Sequence, residues 1–166
     1  MWLEVHCTKR VVSTVEEYRA AVTEIAMRAR RTLYIYTPDL EPMLYDQDCF
    51  LEPLKRLVLA RSHGRVRVLV GDPVRASRDG HRFMQMARRL TSSISLRIVP
   101  GDYRGDPCAY IVADDKAIAY RAHTSRWTGF VEISDQGIDR RHIDHFESVW
   151  SGSLVAPELQ PILLDS

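Results

Sequence analysis

Residues 107–151 read PCAYIVADDKAIAYRAHTSRWTGFVEISDQGIDRRHIDHFESVWS. The apolar runs at 110–113, 117–120 and 129–133 lie too close together for helical crossovers between them. Such spacing predicts antiparallel pairing through short connections. Asp114-Asp115-Lys116 supplies the turn between the first two runs, because aspartate side chains bond nearby backbone amides. A polar loop follows the second run. Residues 139–150 then carry Ile143, Phe146, Val149 and Trp150 at helical spacing, which predicts a closing helix with one inward face.

Upstream of residue 107 the pattern changes. Residues 3–7 alternate Leu3 and Val5 with Glu4 and His6, which predicts a short edge strand. Ser13-Thr14-Val15-Glu16 has the form of a capping box led by Ser13. Tyr18, Ala21, Val22, Ile25 and Ala29 behind it predict a helix over 15–30. Residues 32–37, TLYIYT, read as a buried strand ended by Pro38. The acidic loop 39–46 presents Met43, Leu44 and Tyr45, and either serves a site or closes on the core as a lid. Phe50, Leu51, Leu54, Leu57 and Val58 give the next helix its core face. Pro53 is expected in its first turn, so that the regular helix starts near Glu52, and Gly64 is its expected left-handed stop. Residues 65–70, RVRVLV, form another strand, ended by Gly71-Asp72-Pro73. Asp79-Gly80 precedes a third helix with Phe83, Met84, Met86, Ala87 and Leu90 as its apolar positions. Residues 94–99 are the next strand, closed by Pro100-Gly101-Asp102.

Strand–helix alternation over residues 1–100 predicts a parallel sheet with right-handed crossovers. The fold class is therefore α/β, in one domain over residues 1–166. Its mixed sheet has a parallel N-terminal part, an antiparallel C-terminal extension and helices on both faces. Ligands of such sheets gather beyond the carboxyl ends of the parallel strands. That rim carries Thr37, Asp39, Asp72, Arg75, Asp102, Tyr103 and Arg104.

A formal net charge of +1 gives no global pull toward nucleic acid or an anionic membrane. Of the 23 basic residues only Lys9, Lys55 and Lys116 are lysines, so any anion site would be built of arginine. Cys7, Cys49 and Cys108 show no C-x-x-C spacing, which argues against a disulfide framework and a structural zinc site. Reduced thiols and the lack of a signal-peptide pattern predict a cytoplasmic protein. No apolar run is long enough to span a bilayer. Gly71-Asp72-Pro73 is no phosphate loop, and the chain has no G-x-S-x-G elbow, so no cofactor is expected. His142 and His145 share a helix face, but zinc would need further ligands.

The order of elements and the wording of the last third resemble one half-domain of the phospholipase D superfamily. Ile111-Val112-Ala113-Asp114-Asp115-Lys116-Ala117-Ile118 matches the centre of that family's His-x-Lys-x4-Asp pattern. Phe146-Glu147-Ser148-Val149-Trp150 matches its closing aromatic-x-x-Leu-Trp phrase. In the family, histidine attacks the phosphodiester phosphorus while lysine and polar groups neutralise the phosphate. With Asp114 as the motif aspartate, the resemblance puts the histidine position on Pro107 and the lysine position on Ala109. The register through Asp115 gives Cys108 and Tyr110 instead. The Gly-Ser-x-Asn segment falls on Arg121-Ala122-His123-Thr124.

The resemblance implies the fold and a degenerate motif, hence a non-catalytic domain acting as a binding or scaffolding module. Family half-domains pair about a pseudo-twofold, which implies a homodimer. The candidate ligand-binding residues are Asp39, Asp72 and Arg75 on the rim and Arg121, His123 and Arg126 on the polar loop. Arginine forks there suit phosphate or carboxylate. Two alternatives stand beside this. One is binding of nucleic acid or another phosphate ligand through rim arginines, with Arg75, Arg78, Arg82, Arg88 and Arg89 on or near one helix. The other is a phosphodiesterase with a rearranged site around His123, Asp39 and Asp72.

Overall fold

The structure is a computed structural model and describes residues 7–78 and 81–155. The β-branched and aromatic run TLYIYT forms β2 (Thr32–Thr37), which pairs in parallel with β3 (Arg65–Val70). β3 in turn pairs in parallel with β4 (Ile94–Ile98). On its other side β2 pairs antiparallel with β5 (Ala109–Ala113). The antiparallel extension continues through β6 (Ala117–Arg121) and β7 (Gly129–Ser134) to β1 (Cys7–Val12) at the far edge. The sheet order is β1-β7-β6-β5-β2-β3-β4.

The helices are α1 (Val15–Arg28), α3 (Asp48–Leu59), α5 (Arg82–Arg89) and α6 (Arg141–Ser151). Single helical turns add α2 (Pro42–Tyr45) and α4 (Pro73–Ala76). Alternation along the strands splits the core in two. Ile35, Val68, Ile111 and Ala119 pack with α1, α3 and α5 on one face. Tyr36, Leu69, Tyr110, Val112 and Ile118 pack with Ile143, Phe146 and Val149 of α6 on the other.

The expected layers stand, and several local readings need correction. β1 runs from Cys7 and pairs antiparallel with β7, so it lies outside the parallel part. Residues 3–6 of the strand expected there lie outside the described residues, as does the Asp79-Gly80 turn. Thr14, not Ser13, caps α1, and its hydroxyl accepts the Glu17 amide at 3.1 Å. The helix stops at Arg28 because the next amides turn toward Asp114, as described below. Pro53 sits inside α3 rather than in its first turn, since buried Phe50 and Leu51 carry the helix back to Asp48. The left-handed residue after α3 is His63, with φ 51°. Gly64 is needed for a different reason: a Cβ there would lie 2.6 Å from the Leu57 carbonyl oxygen. The acidic loop closes on the core as a lid, with Leu40, Leu44 and Tyr45 buried.

Candidate functional site

The carboxyl ends of β2 and β3 open into a cleft of about 410 Å³. Thr37, Asp72, Tyr103, Arg104, Asp106 and Cys108 border it, together with Pro107 and Thr124. Local structure fixes several of these groups. The Thr37 hydroxyl accepts the Leu40 amide at 3.1 Å, which supports the left-handed backbone of Leu40. Asp72 caps α4 by accepting the Arg75 amide at 3.1 Å. Asp39 lies 3.5 Å from the Arg75 guanidinium. The three rim candidates Asp39, Asp72 and Arg75 are thus brought together. Burial pushes the Cys108 thiol up to about 12, and neighbouring Asp106 adds to the effect. Cys108 is therefore a protonated thiol at neutral pH and a poor nucleophile.

Behind the cleft a hydrogen-bonded chain crosses to α6. Asp106 Oδ2 is 2.9 Å from His145 Nε2. His145 Nδ1 is 2.8 Å from the Tyr110 hydroxyl, which is also 3.3 Å from the His142 carbonyl oxygen. With Nε2–H donating to Asp106, Nδ1 accepts the single Tyr110 O–H at the shorter distance, and the His142 carbonyl competes for that same hydrogen. Tyr110 also belongs to a row of rings set by the sheet register. Tyr36 stacks on Tyr110 at 5.2 Å, Tyr120 follows at 6.1 Å and Phe130 at a further 5.3 Å. Burial raises the phenols of Tyr36 and Tyr110, so both stay neutral. The sequence did carry a signal for this network. Asp106, Cys108 and Tyr110 alternate onto one face, and His142 and His145 are one helical turn apart. No group of three or more His, Cys, Asp or Glu is placed to hold a metal ion among the described residues.

His142 packs on Tyr120 at 4.9 Å and is half-buried. Burial, with Arg141 beside it, holds its imidazole below the ordinary value of 6.5. The unfolded chain therefore takes up this proton at higher pH than the folded one. The stability that neutral His142 contributes is complete above about pH 6.5 and is lost as pH falls through that value toward the folded pKa. Thermal melts of the wild type should show the midpoint falling between about pH 7 and pH 5, and less steeply in His142→Gln. Parallel pH profiles would show that His142 is not the group responsible.

The opposite face of β5 and β6 is filled. Ala109 is the register partner of Arg121, so both point toward α1. Arg121 is 0% exposed. Its Nη2 lies 2.8 Å from each Glu41 carboxylate oxygen, and the guanidinium is 4.3 Å from the Trp127 ring and 5.2 Å from Tyr18. Burial raises the Glu41 carboxyl, and Arg121 pulls it back. Arg121 Nε and Nη1 have no hydrogen-bond partner. Arg121 is thus a strand residue facing inward, apart from the loop candidates. His123 and Arg126 are exposed, and the Arg126 amide donates to the His123 carbonyl at 3.0 Å. The Thr124 amide donates to the Pro107 carbonyl at 2.9 Å and ties this loop to the entrance of β5.

This sheet, with its helical layers and closing helix, is the phospholipase D-like fold. Nuc from Salmonella typhimurium, a phospholipase D family member, superposes with a TM-score of 0.58 at 13% identity, covering 90% of this chain and 97% of its own. NucT from Helicobacter pylori gives 0.62 at 9% identity, over 91% and 100%. TrmBL2, an archaeal chromatin protein whose structure shows a novel mode of DNA binding, gives 0.63 at 10% identity over 87% of this chain. The chain spans about half of TrmBL2, 52% of its length. The chain itself belongs to the family described as a domain of unknown function, DUF7931, which it matches over residues 14–162. No curated protein matches it in sequence. No helix among the described residues is long and apolar enough to cross a membrane.

Proposed function

We propose that the chain is a non-catalytic phospholipase D-like domain that acts as a binding or scaffolding module. The observation that carries this reading is the Arg121–Glu41 pair beside Ala109. By resemblance, the family's lysine and histidine positions fall on Ala109 and Pro107, and the motif is degenerate. Neither residue can attack phosphorus or neutralise a phosphate. The space beside Ala109 is occupied by a guanidinium that is already paired and lies against Trp127 and Tyr18. In the other register the nucleophile position is Cys108, whose thiol is pushed up to about 12. A cytoplasmic setting suits the three free thiols, Cys7, Cys49 and Cys108.

Hydrolysis of bis(p-nitrophenyl) phosphate, a single-stranded oligonucleotide and phosphatidylcholine tests the reading. The rate with protein should equal that of buffer, and His123→Ala and His145→Ala should leave it there. Turnover that follows the purified protein and falls in either variant would establish a rearranged phosphodiesterase instead. Pairing of two copies as half-domains belongs to the same proposal, and sedimentation at the mass of one chain would remove it.

Nucleic-acid or phosphate-ligand binding through arginines is the second reading. The likeness to a DNA-binding chromatin protein favours it. The arginines near α5 speak less for it, because Arg82 is committed to Asp46 and Asp48 and Arg75 faces Asp39. An anisotropy titration with duplex DNA at low salt decides it, and binding lost in Arg75→Glu would establish this reading.

A further inference from the structure

The helical layer carries a larger hollow, lined by other residues than the cleft. An open groove of about 900 Å³ runs between α1 and α3. Met27 and Leu59 line it and are 63% and 61% exposed, with Pro53 and Ala29 beside them. Arg30, Arg31, Lys55 and Arg56 also line it, against Glu52 as the one acidic group. These four cations make no ion pair among the described residues. Most other arginines near a carboxylate are committed: Arg10 to Glu24, Arg67 to Glu147, Arg82 to Asp46, Arg121 to Glu41. With a net charge of +1 for the chain, this is a local concentration of unmatched positive charge. Arg30 and Arg31 are held in place because their backbone amides are bound by Asp114.

We propose that this groove docks an acidic amphipathic segment of a partner protein. Apolar side chains of the segment would lie against Met27 and Leu59, and its carboxylates against Arg30, Arg31, Lys55 and Arg56. The shape and chemistry favour a peptide over the other polyanions. A concave groove with an apolar floor takes the apolar ridge of a helix. No aromatic ring lines the groove, so it offers no stacking platform for bases. A lipid surface is met by a protruding apolar face, not by a furrow. The inference needs only the fold and stands independently of whether the cleft is catalytic.

The test is fluorescence anisotropy of the full chain with a labelled peptide of about 16 residues, with leucines at i, i+3, i+4 and i+7 and glutamates between them. Saturable binding in the range of about 1–50 μM is expected. Lys55→Glu/Arg56→Glu should weaken it about tenfold or more. Met27→Ser/Leu59→Ser should weaken it about fivefold. The same peptide with lysine for glutamate should not bind. All four positions lie on the protein surface or groove edge, and unchanged circular dichroism confirms that the variants fold. No binding of the acidic peptide, or binding indifferent to the Met27/Leu59 change, overturns the proposal. Tighter binding of a DNA duplex or of phosphatidylserine vesicles, lost in Lys55→Glu/Arg56→Glu and unaffected at Met27 and Leu59, also overturns it and assigns the groove to that polyanion.

Discussion

Arg121→Ala will destabilise the fold by about 3–5 kcal/mol, the cost of leaving a buried charge without its partner. The guanidinium is fully buried, and the side chain of its partner Glu41 is 15% exposed. Removing the arginine strands the Glu41 carboxylate and leaves a gap between Tyr18 and Trp127, which the cation now bridges. Glu41→Ala should cost a similar amount, since Arg121 Nε and Nη1 already lack partners and the last charge-neutralising contact would go. The pair itself is not an efficient source of stability. Two charges taken out of water repay their desolvation only when hydrogen bonding is complete. The double variant Arg121→Met/Glu41→Leu should therefore recover most of either single loss, because it fills the volume without a charge. Urea denaturation of the four proteins measures this directly. A loss below about 1 kcal/mol for Arg121→Ala would mean that the side chain reaches solvent. Recovery in the double variant would also show that the ion pair is not needed for folding, which leaves a positional role: closing the 39–46 lid over the sheet face beside Ala109.

The layered fold was readable because its signals are local. The runs at 110–113, 117–120 and 129–133 became β5, β6 and β7 within a residue of their expected ends. Apolar stripes at helical spacing located α1, α3 and α6. The strand expected at 3–7 shares only Cys7 with β1, which runs on to Val12, and its partner β7 lies more than a hundred residues away, where alternation carries no record of pairing direction. α2 and α4 leave no mark in the sequence, because a single turn has no apolar period. At the site the same division holds. The rule that parallel strands present their carboxyl ends to ligands makes Asp39, Asp72 and Arg75 candidates, and the structure places Asp39 beside the Arg75 guanidinium and the Asp72 carboxylate on the Arg75 amide. The sequence places Arg121 with the polar loop, because nothing near it names Glu41 as its partner, whereas the structure sets it at the end of β6. The Asp106–His145–Tyr110 chain spans β5 and α6, and only the packing of that helix on the sheet brings it together. The spacing of His142 and His145 was legible as a shared face. What that face meets is a row of tyrosines.

Asp114→Ala should cost about 3 kcal/mol, because one carboxylate serves three backbone donors. Its Oδ1 accepts the amides of Arg31 and Thr32 at 2.9 Å each, and its Oδ2 accepts the Arg30 amide at 3.1 Å. The Asp114 amide returns a bond to the Thr32 carbonyl at 2.7 Å. These contacts end α1, start β2 and fasten the β5–β6 turn to both. The residue also has φ 56°, a left-handed backbone that Asn and Asp tolerate better than Ala. Asp114→Asn keeps the backbone preference and one acceptor oxygen, so it should lose about half as much as Ala. Hydrogen exchange gives a second readout, with the amides of Arg31 and Thr32 losing protection in Asp114→Ala before the centre of β2 does. If Ala and Asn cost the same, the carboxylate is not what holds the turn. Asp114 is one of the two positions, with Asp115, that the phospholipase D resemblance offers for the motif aspartate, and its carboxylate holds three backbone amides. It also fixes the backbone from which Arg30 and Arg31 reach the α1–α3 groove. Binding of the acidic peptide should therefore weaken in Asp114→Ala even though Asp114 itself carries the wrong charge to touch it.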